Sequence, residues 1–288
     1  METVGARSTK WAKMYLDQRP SKWLERTLIA LPFIIFFGWY FVGAEVRHRE
    51  NPHDKIQPTI SQLANAFKRV ALEKDKEEEI YRLWVDTGVT GRRFLICTAL
   101  TIPAIFIGLY LGYMPLLEAL LLRFTLMFGH LQMMALMPIL FTLFGTDETF
   151  KILFVLFGVA PKLILETYDR VQEVLKEKSE LVIKAETMAA SGPEVVLCVI
   201  FPTILPGLFD QMRMTMSQII QFLLIGETVA ADSGWGYRMN VAQRNTSMDL
   251  LIVYAVFICL MAYLVDKSMK WARWKLFPWD RKKEASRK

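Results

Sequence analysis

Long apolar stretches alternate with polar ones along this chain. Thr27–Ala44, Phe94–Leu117, Phe124–Thr146 and Leu250–Val265 contain no Asp, Glu, Lys or Arg. The first three exceed ~17 residues, the lower limit for a helix that crosses a bilayer, and the fourth falls just short. The pattern predicts one spanning helix over Thr27–Ala44 and a second over Phe94–Tyr113, kinked at Pro103. Leu116–Gly145 is too long for one straight crossing and carries Glu118 and Arg123 early. It reads as a short helix to Met127, a bend near Gly129 and a spanning helix to Phe144. A fourth span starts near Thr149 and is interrupted at Pro161-Lys162. A fifth runs from Val195 past Pro202 and Pro206 to Gly226. The sixth covers Met248–Val265. Trp39 and Tyr40, and later Trp271, Trp274 and Trp279, stand where interfacial aromatic residues belong. The predicted fold class is therefore an all-α integral membrane protein with six transmembrane helices.

The intervening segments set the organisation. Residues 1–26 form an amphipathic stretch and 27–44 the first span. Residues 45–93 are polar, opened by the turn signals Asn51-Pro52 and Gln57-Pro58, with a helical pattern from Ile60 to Leu72. The core is expected over 94–266, interrupted by a polar helical loop at 170–195. A basic tail, 267–288, follows. The turn Gly234-Trp235-Gly236 precedes the last span.

Charge gives the sidedness. The formal net charge is +6, with nine Lys/Arg from Lys267 onward and six before Thr27. Basic flanks mark cytoplasmic ends, so both termini and the 170–195 loop are expected in the cytoplasm and 45–93 in the periplasm. Residues 45–93 carry ten Lys/Arg, which opposes this topology, but loops of that length approach the limit where the rule fades. Position also argues against nucleic acid as the basic partner. Val42-Gly43-Ala44 resembles a signal-peptidase site, yet the acidic residues before the span and its length favour a retained helix.

Ionisable groups inside spans are costly and commonly face a bundle interior or a wet cavity. The candidates are Glu118, Arg123, His130, Lys162, Asp210, Arg213 and Glu227. Asp210 and Arg213 are spaced to pair on one helix face, as are Lys162 and Glu166. His130 and Gln132 lie beside Met133, Met134 and Met137. They either line a passage or bridge two helices. Cys97, Cys198 and Cys259 sit in apolar surroundings and read as small hydrophobes. His48 and His53 lack the spacing and carboxylates of a metal site, and no metal is expected. There is no phosphate-binding glycine loop, nucleophile elbow or zinc-protease helix. The chain is expected not to be an enzyme, and any transport must draw energy from a partner or an ion gradient. A membrane-embedded enzyme would need acids or histidines clustered at one depth, and an ion-coupled secondary transporter would show repeated halves; neither pattern is visible.

Several local sequences agree in order with a known pattern. They are Leu143–Val171 (LFGTDETFKILFVLFGVAPKLILETYDRV), Phe201–Met214 (FPTILPGLFDQMRM), Gly226–Met239 (GETVAADSGWGYRM) and Asp249 just before the last helix. Together they resemble the permease subunit of ABC importers, of the nitrate/sulfonate/taurine type. That family carries a cytoplasmic signature of E-A-A, three residues, Gly, nine residues and I-x-L-P. Aligned on Val199-Ile200-Phe201-Pro202, its E-A-A falls on Ile183-Lys184-Ala185 and its Gly on Ala189. A shift of three would use Glu186-Thr187-Met188 and Gly192, but the downstream spacing then fails by one.

The resemblance implies a type I importer fold and a homodimer. Partners would be ATP-binding cassette subunits, which hold ATP and magnesium, and a periplasmic solute-binding protein; this chain would hold no cofactor. It implies a coupling helix toward the ATPase, for which Ile183, Lys184, Ala185, Glu186, Met188, Ala189, Ala190 and Gly192 are the candidates. It implies a pathway at the dimer interface for a small polar or anionic solute, with His130, Gln132, Met133, Thr215, Ser217 and Gln218 as candidate lining. Asp210, Arg213, Glu227, Gly234 and Gly236 are expected to have structural or gating roles.

Overall fold

The computed structural model describes residues 22–50, 57–74, 80–177 and 179–278, and every regular element among them is helical. Residues 1–21 of the amphipathic stretch and 279–288 of the tail lie outside the described residues. The chain divides into two compact units, Met1–Leu63 and Ala64–Lys288.

The first unit is dominated by α1 (Lys22–Glu50), longer at both ends than the apolar run alone predicts. Its last turn holds Arg47, His48 and Arg49, where cations favourably face the negative end of the helix dipole. Its apolar residues from Phe33 to Phe37 are exposed in succession, as expected of a helix surrounded by lipid. Amphipathic α2 (Ile60–Ala71) straddles the division.

The second unit is built on α3 (Arg82–Tyr113) and α6 (Glu148–Glu177). α3 starts twelve positions before the predicted span because Leu83, Asp86, Thr90 and Arg93 face the bundle and not solvent. In α6 the buried positions Lys151, Val155, Val159, Leu163, Thr167 and Val171 recur every fourth residue. Such a ridge packs into the groove of a facing helix. α3 supplies that groove with small residues. A Cβ on Gly108 would sit 2.6 Å from the Ile164 carbonyl, and one on Gly112 would sit 2.6 Å from Val171 Cβ. Close backbone approach of this kind is how helices gain packing in lipid, where burial alone gives no drive.

α4 (Pro115–Gly129) and α5 (Met133–Phe144) flank α6 and meet at a bend of 101°. The bend near Gly129 is as expected, but the spanning helix to Phe144 is not formed. α5 has only 12 residues, about 18 Å, well short of a bilayer core. The interruption predicted at Pro161 is also absent. α6 runs through it, because a proline inside a helix removes one hydrogen bond and α3, α4, α5 and α8 hold the helix from outside.

After α7 (Ser179–Thr187), a short turn at Gly192–Glu194 leads into a π-helical stretch, Val195–Ile200, and then α8 (Phe201–Ala230). The wide π turns precede Pro202, whose ring and missing N–H disturb the regular ladder of the turn before it. α9 (Trp235–Arg244) and α10 (Met248–Leu276) complete the unit.

Among the described residues, four helices are long and apolar enough to cross a membrane, α1, α3, the stretch from Gly192 through α8, and α10; the bent α4–α5 pair makes a fifth if it is one span. The predicted six is not reached by length and composition. α6 falls short because Lys162, Glu166, Asp169 and Arg170 break its apolar run.

Candidate functional site

Two polar assemblies occupy opposite ends of the second unit. One is the loop that follows α6. Val182 of α7 is buried, and Ala185 and Ala190 pack against the cluster that contains Val195, Val196 and Ile200. α7 closes on a left-handed residue, Ala189, with φ 60°. The Ala190 N–H donates to the Ala185 carbonyl at 3.2 Å. This six-to-one bond marks a Schellman turn, whose left-handed position normally carries glycine. Ala189 is also the residue that the favoured register aligns with the glycine of the family signature. Downstream, the Ser191 N–H donates to Glu194 Oε2 at 2.7 Å and the Ser191 side chain accepts from the Glu194 backbone, a capping box. Gly192 lies against the Tyr113 ring.

The loop is thus a short helix closed by a Schellman turn and followed at once by a capping box, with Ala185 and Ala190 turned inward. Ile183, Lys184, Met188 and Ala189 face outward, and Met188 is 83% exposed. Glu186 lies within α7. Such a loop can present a bare apolar knob to a partner without reorganising.

The second assembly joins the first turns of α3, the start of α6, the end of α8, α9 and α10. Glu227 is fully buried. Its carboxylate accepts from Arg93 Nη1 at 2.8 Å, Thr90 Oγ1 at 2.8 Å and the Gly236 N–H at 2.9 Å. Arg93 reaches on to Glu148 through Nε at 2.7 Å and Nη2 at 2.6 Å, and to the Ser233 carbonyl. Lys151 donates to the same Glu148 at 2.7 Å. Beside this, fully buried Asp86 accepts from Arg238 Nε, the Tyr254 hydroxyl and the Gly234 N–H. Three cations and three carboxylates share the lattice, so each buried charge is met by an opposite one.

The two glycines of the turn are required by this geometry. Gly234 has φ 116°, and a Cβ there would sit 2.7 Å from Glu227 Oε1. A Cβ on Gly236 would run into the Leu224 carbonyl.

Between the two ends, α8 and α10 are tied by a ladder of ion pairs. Arg213 donates to Asp266 at 2.9 Å, and Arg273 pairs with Asp210 at 2.9 Å. The expected Asp210–Arg213 pair is the longer contact, at 3.9 Å. Lys162 and Glu166 are likewise 3.9 Å apart. Ser217 and Gln218 line a groove of about 530 Å³ with Arg213, Gln221, Tyr263 and Asp266. Thr215, one turn below, is buried. His130 and Gln132 are exposed at the α4–α5 bend, with His130 Nδ1 2.7 Å from the Leu126 carbonyl. Met133 is buried with Phe150 and Phe154. Met133 and Thr215 therefore face the interior of the second unit, and the bend contributes no wall to the Ser217–Gln218 groove.

Sequence reasoning singled out Glu227, Gly234 and Gly236 but missed Arg93, Asp86, Glu148 and Arg238. Arg93 stands at the end of the polar segment that precedes the second apolar run. Its partner is 134 positions away, beyond the reach of local spacing. The available signal was the helical continuation of Asp86, Thr90 and Arg93 into the apolar run at Phe94.

Residues 104–273 match the family model described as a binding-protein-dependent transport system inner membrane component. A putative aliphatic sulfonates transport permease protein of Escherichia coli is 27% identical over 51% of this chain. The matched stretch spans 57% of that relative's own length. A taurine transport system permease protein of the same organism is 22% identical over 68% of the chain and 71% of its own length. A putative aliphatic sulfonates transport permease protein of Bacillus subtilis is 22% identical over 89% of the chain and 88% of its own length.

Proposed function

Since the chain belongs to the family of binding-protein-dependent transport system inner membrane components, we propose that it forms the translocation pathway of an ATP-driven ABC importer for a small anionic solute. The sulfonate and taurine permeases among its relatives support that substrate class. In this reading the solute arrives from a periplasmic binding protein, and two copies of the chain enclose the pathway. ATP and magnesium are held by separate cassette subunits. This chain does no chemistry; it moves.

Both termini lie in the cytoplasm, and six crossings arise if α4–α5 is one broken crossing and α6 another. The enclosure of α6 by neighbouring helices supports the second point. Arg170 is held on its α8 side by Gln211, and the exposed Lys162 and Glu166 offset each other's charge.

The observation that carries the reading is the clamped loop at Ser179–Glu194. A docking element must transmit force without bending. Its left-handed Ala189, its capping box and the packing of Ala185 and Ala190 give it that rigidity, and Met188 gives it a contact. Movement of the cassette subunits would reach the bundle through α6 and α8, which the loop joins directly. Ser217 and Gln218 on α8, with His130 and Gln132 at the bend, are the exposed polar groups proposed to meet solute. The lattice at Glu227 would hold the far ends of α3, α6, α8 and α10 together while the near ends separate.

The test is a crosslink. An Ala190→Cys or Met188→Cys variant, co-purified with its ATPase subunit carrying single cysteines along its permease-facing groove, is expected to form a disulfide under mild oxidation. An assembled complex that yields none at either position contradicts the coupling role.

A further inference from the structure

α10 is longer than a bilayer needs. Its 29 residues span about 44 Å, against a hydrocarbon core of ~30 Å. The apolar run ends at Val265, so the turns from Asp266 onward extend beyond it. Those turns have two distinct faces.

One face is neutralised. Asp266 is held by Arg213 and by Lys270 at 2.7 Å, and Arg273 by Asp210. The other face is open. Leu260, Tyr263, Leu264, Lys267, Trp271 and Trp274 fall within about 100° of arc at 100° per residue, and all six are exposed. Along this stripe the chemistry passes from aliphatic to aromatic to cationic. Trp271 and Trp274 are 63% and 62% exposed. Lys267 Nζ lies 6.0 Å from the Tyr263 ring centre, and Lys275 Nζ lies 5.2 Å from that of Trp271. Unlike Lys270 and Arg273, neither ammonium has a carboxylate within ion-pair distance among the described residues.

We propose that this stripe binds the headgroups of anionic phospholipids, with Lys267 and Lys275 against the phosphates and the two tryptophans at the boundary between headgroup and acyl chain. The continuity of the stripe with the apolar face of the same helix selects lipid over a soluble anion. A molecule seated on it must offer acyl chains beside Leu260 and Leu264 and negative charge one to three turns further on. The rings of Tyr263 and Trp271 hold the two ammonium groups about 12 Å apart along the helix, each one turn back from its own backbone position, and indole rings favour the interfacial layer. Because the adjoining face is ion-paired to α8, lipid seated here restrains α8 as well as α10. The inference rests on α10 crossing the membrane, which is part of the reading above, and is independent of what the bundle transports.

The test uses the full-length protein in detergent micelles, titrated with phosphatidylglycerol or phosphatidylcholine, with retained lipid counted by native mass spectrometry. The unaltered protein is expected to retain phosphatidylglycerol preferentially, with millimolar inorganic phosphate failing to displace it. The K267Q/K275Q double variant is expected to lose about tenfold or more of that affinity. K267R/K275R keeps the charge and is expected to keep the preference, as is Lys68→Gln on the exposed face of α2. Equal retention by K267Q/K275Q and the unaltered protein would overturn the proposal, as would displacement by inorganic phosphate. Absence of ATP-dependent transport by the unaltered protein in its assembled complex, with lipid retention intact, would count against the permease reading alone.

Discussion

Replacing Arg93 by methionine is expected to lower the stability of the membrane bundle by about 3–5 kcal/mol, the usual cost of breaking a buried ion pair from one side. The substitution keeps roughly the same side-chain length but leaves the fully buried Glu227 carboxylate with only Thr90 and the Gly236 N–H. It also removes both guanidinium bonds to Glu148 and the bond to the Ser233 carbonyl. Thermal unfolding of the detergent-purified protein, followed by loss of the monodisperse chromatographic peak, reads the effect. The double variant Arg93→Met/Glu227→Met is expected to recover part of the loss, because both members of the pair are then apolar. Arg213→Met gives the comparison. Its partner Asp266 is partly exposed and keeps Lys270, so the cost there is expected to be about 1 kcal/mol or less. Similar losses at Arg93 and Arg213 would mean that the lattice is not the tighter assembly.

The second large effect is expected at the turn between α8 and α9. Gly234→Ala forces an L side chain into φ 116° and sets its Cβ 2.7 Å from Glu227 Oε1. Gly236→Ala drives a Cβ against the Leu224 carbonyl and to 2.8 Å from Glu227 Cβ. Backbone strain of this kind costs about 1–3 kcal/mol, and overpacking a similar amount. Each substitution also displaces an N–H that a buried carboxylate uses, Asp86 for Gly234 and Glu227 for Gly236. Each is expected to cost about 2–5 kcal/mol, measured by the same unfolding assay. Gly226→Ala is the internal control. Its Cβ would meet Phe154 Cδ1 at 3.6 Å and Lys151 Cα at 3.8 Å, both ordinary van der Waals contacts. That variant is expected to be neutral or up to about 1 kcal/mol more stable. Equal effects at Gly226 and Gly236 would contradict the steric account.

The comparison of sequence and structure divides along a physical line. Properties set by runs of residues were legible. The apolar stretches, the bend near Gly129 and the polar loop before Val195 follow from composition within a few turns of chain, and the structure places helices, bend and loop there. Properties set by what surrounds a helix were not. α6 carries charges that should end a crossing, yet its ridge from Lys151 to Val171 is buried by neighbours that no local pattern names. Arg93 reads only as the end of a polar segment because its partners Glu148 and Glu227 come from other helices. Asp210 and Arg213 illustrate the same limit. Their spacing predicts a mutual pair, but each finds a shorter contact on α10, with Arg273 and Asp266. Ala189 adds a local coincidence: its left-handed backbone falls at the glycine position of the first of the two registers for the family signature.

On the proposed function, this chain is a gate worked through its Ser179–Glu194 loop by a separate ATP-hydrolysing partner. The most direct measurement is solute uptake into proteoliposomes. Vesicles holding this chain, the cassette subunits and the binding protein are expected to accumulate a small sulfonate only when ATP is supplied, and vesicles holding this chain alone are expected to accumulate none. Concentrative uptake by the chain alone, driven by an ion gradient, would contradict the account.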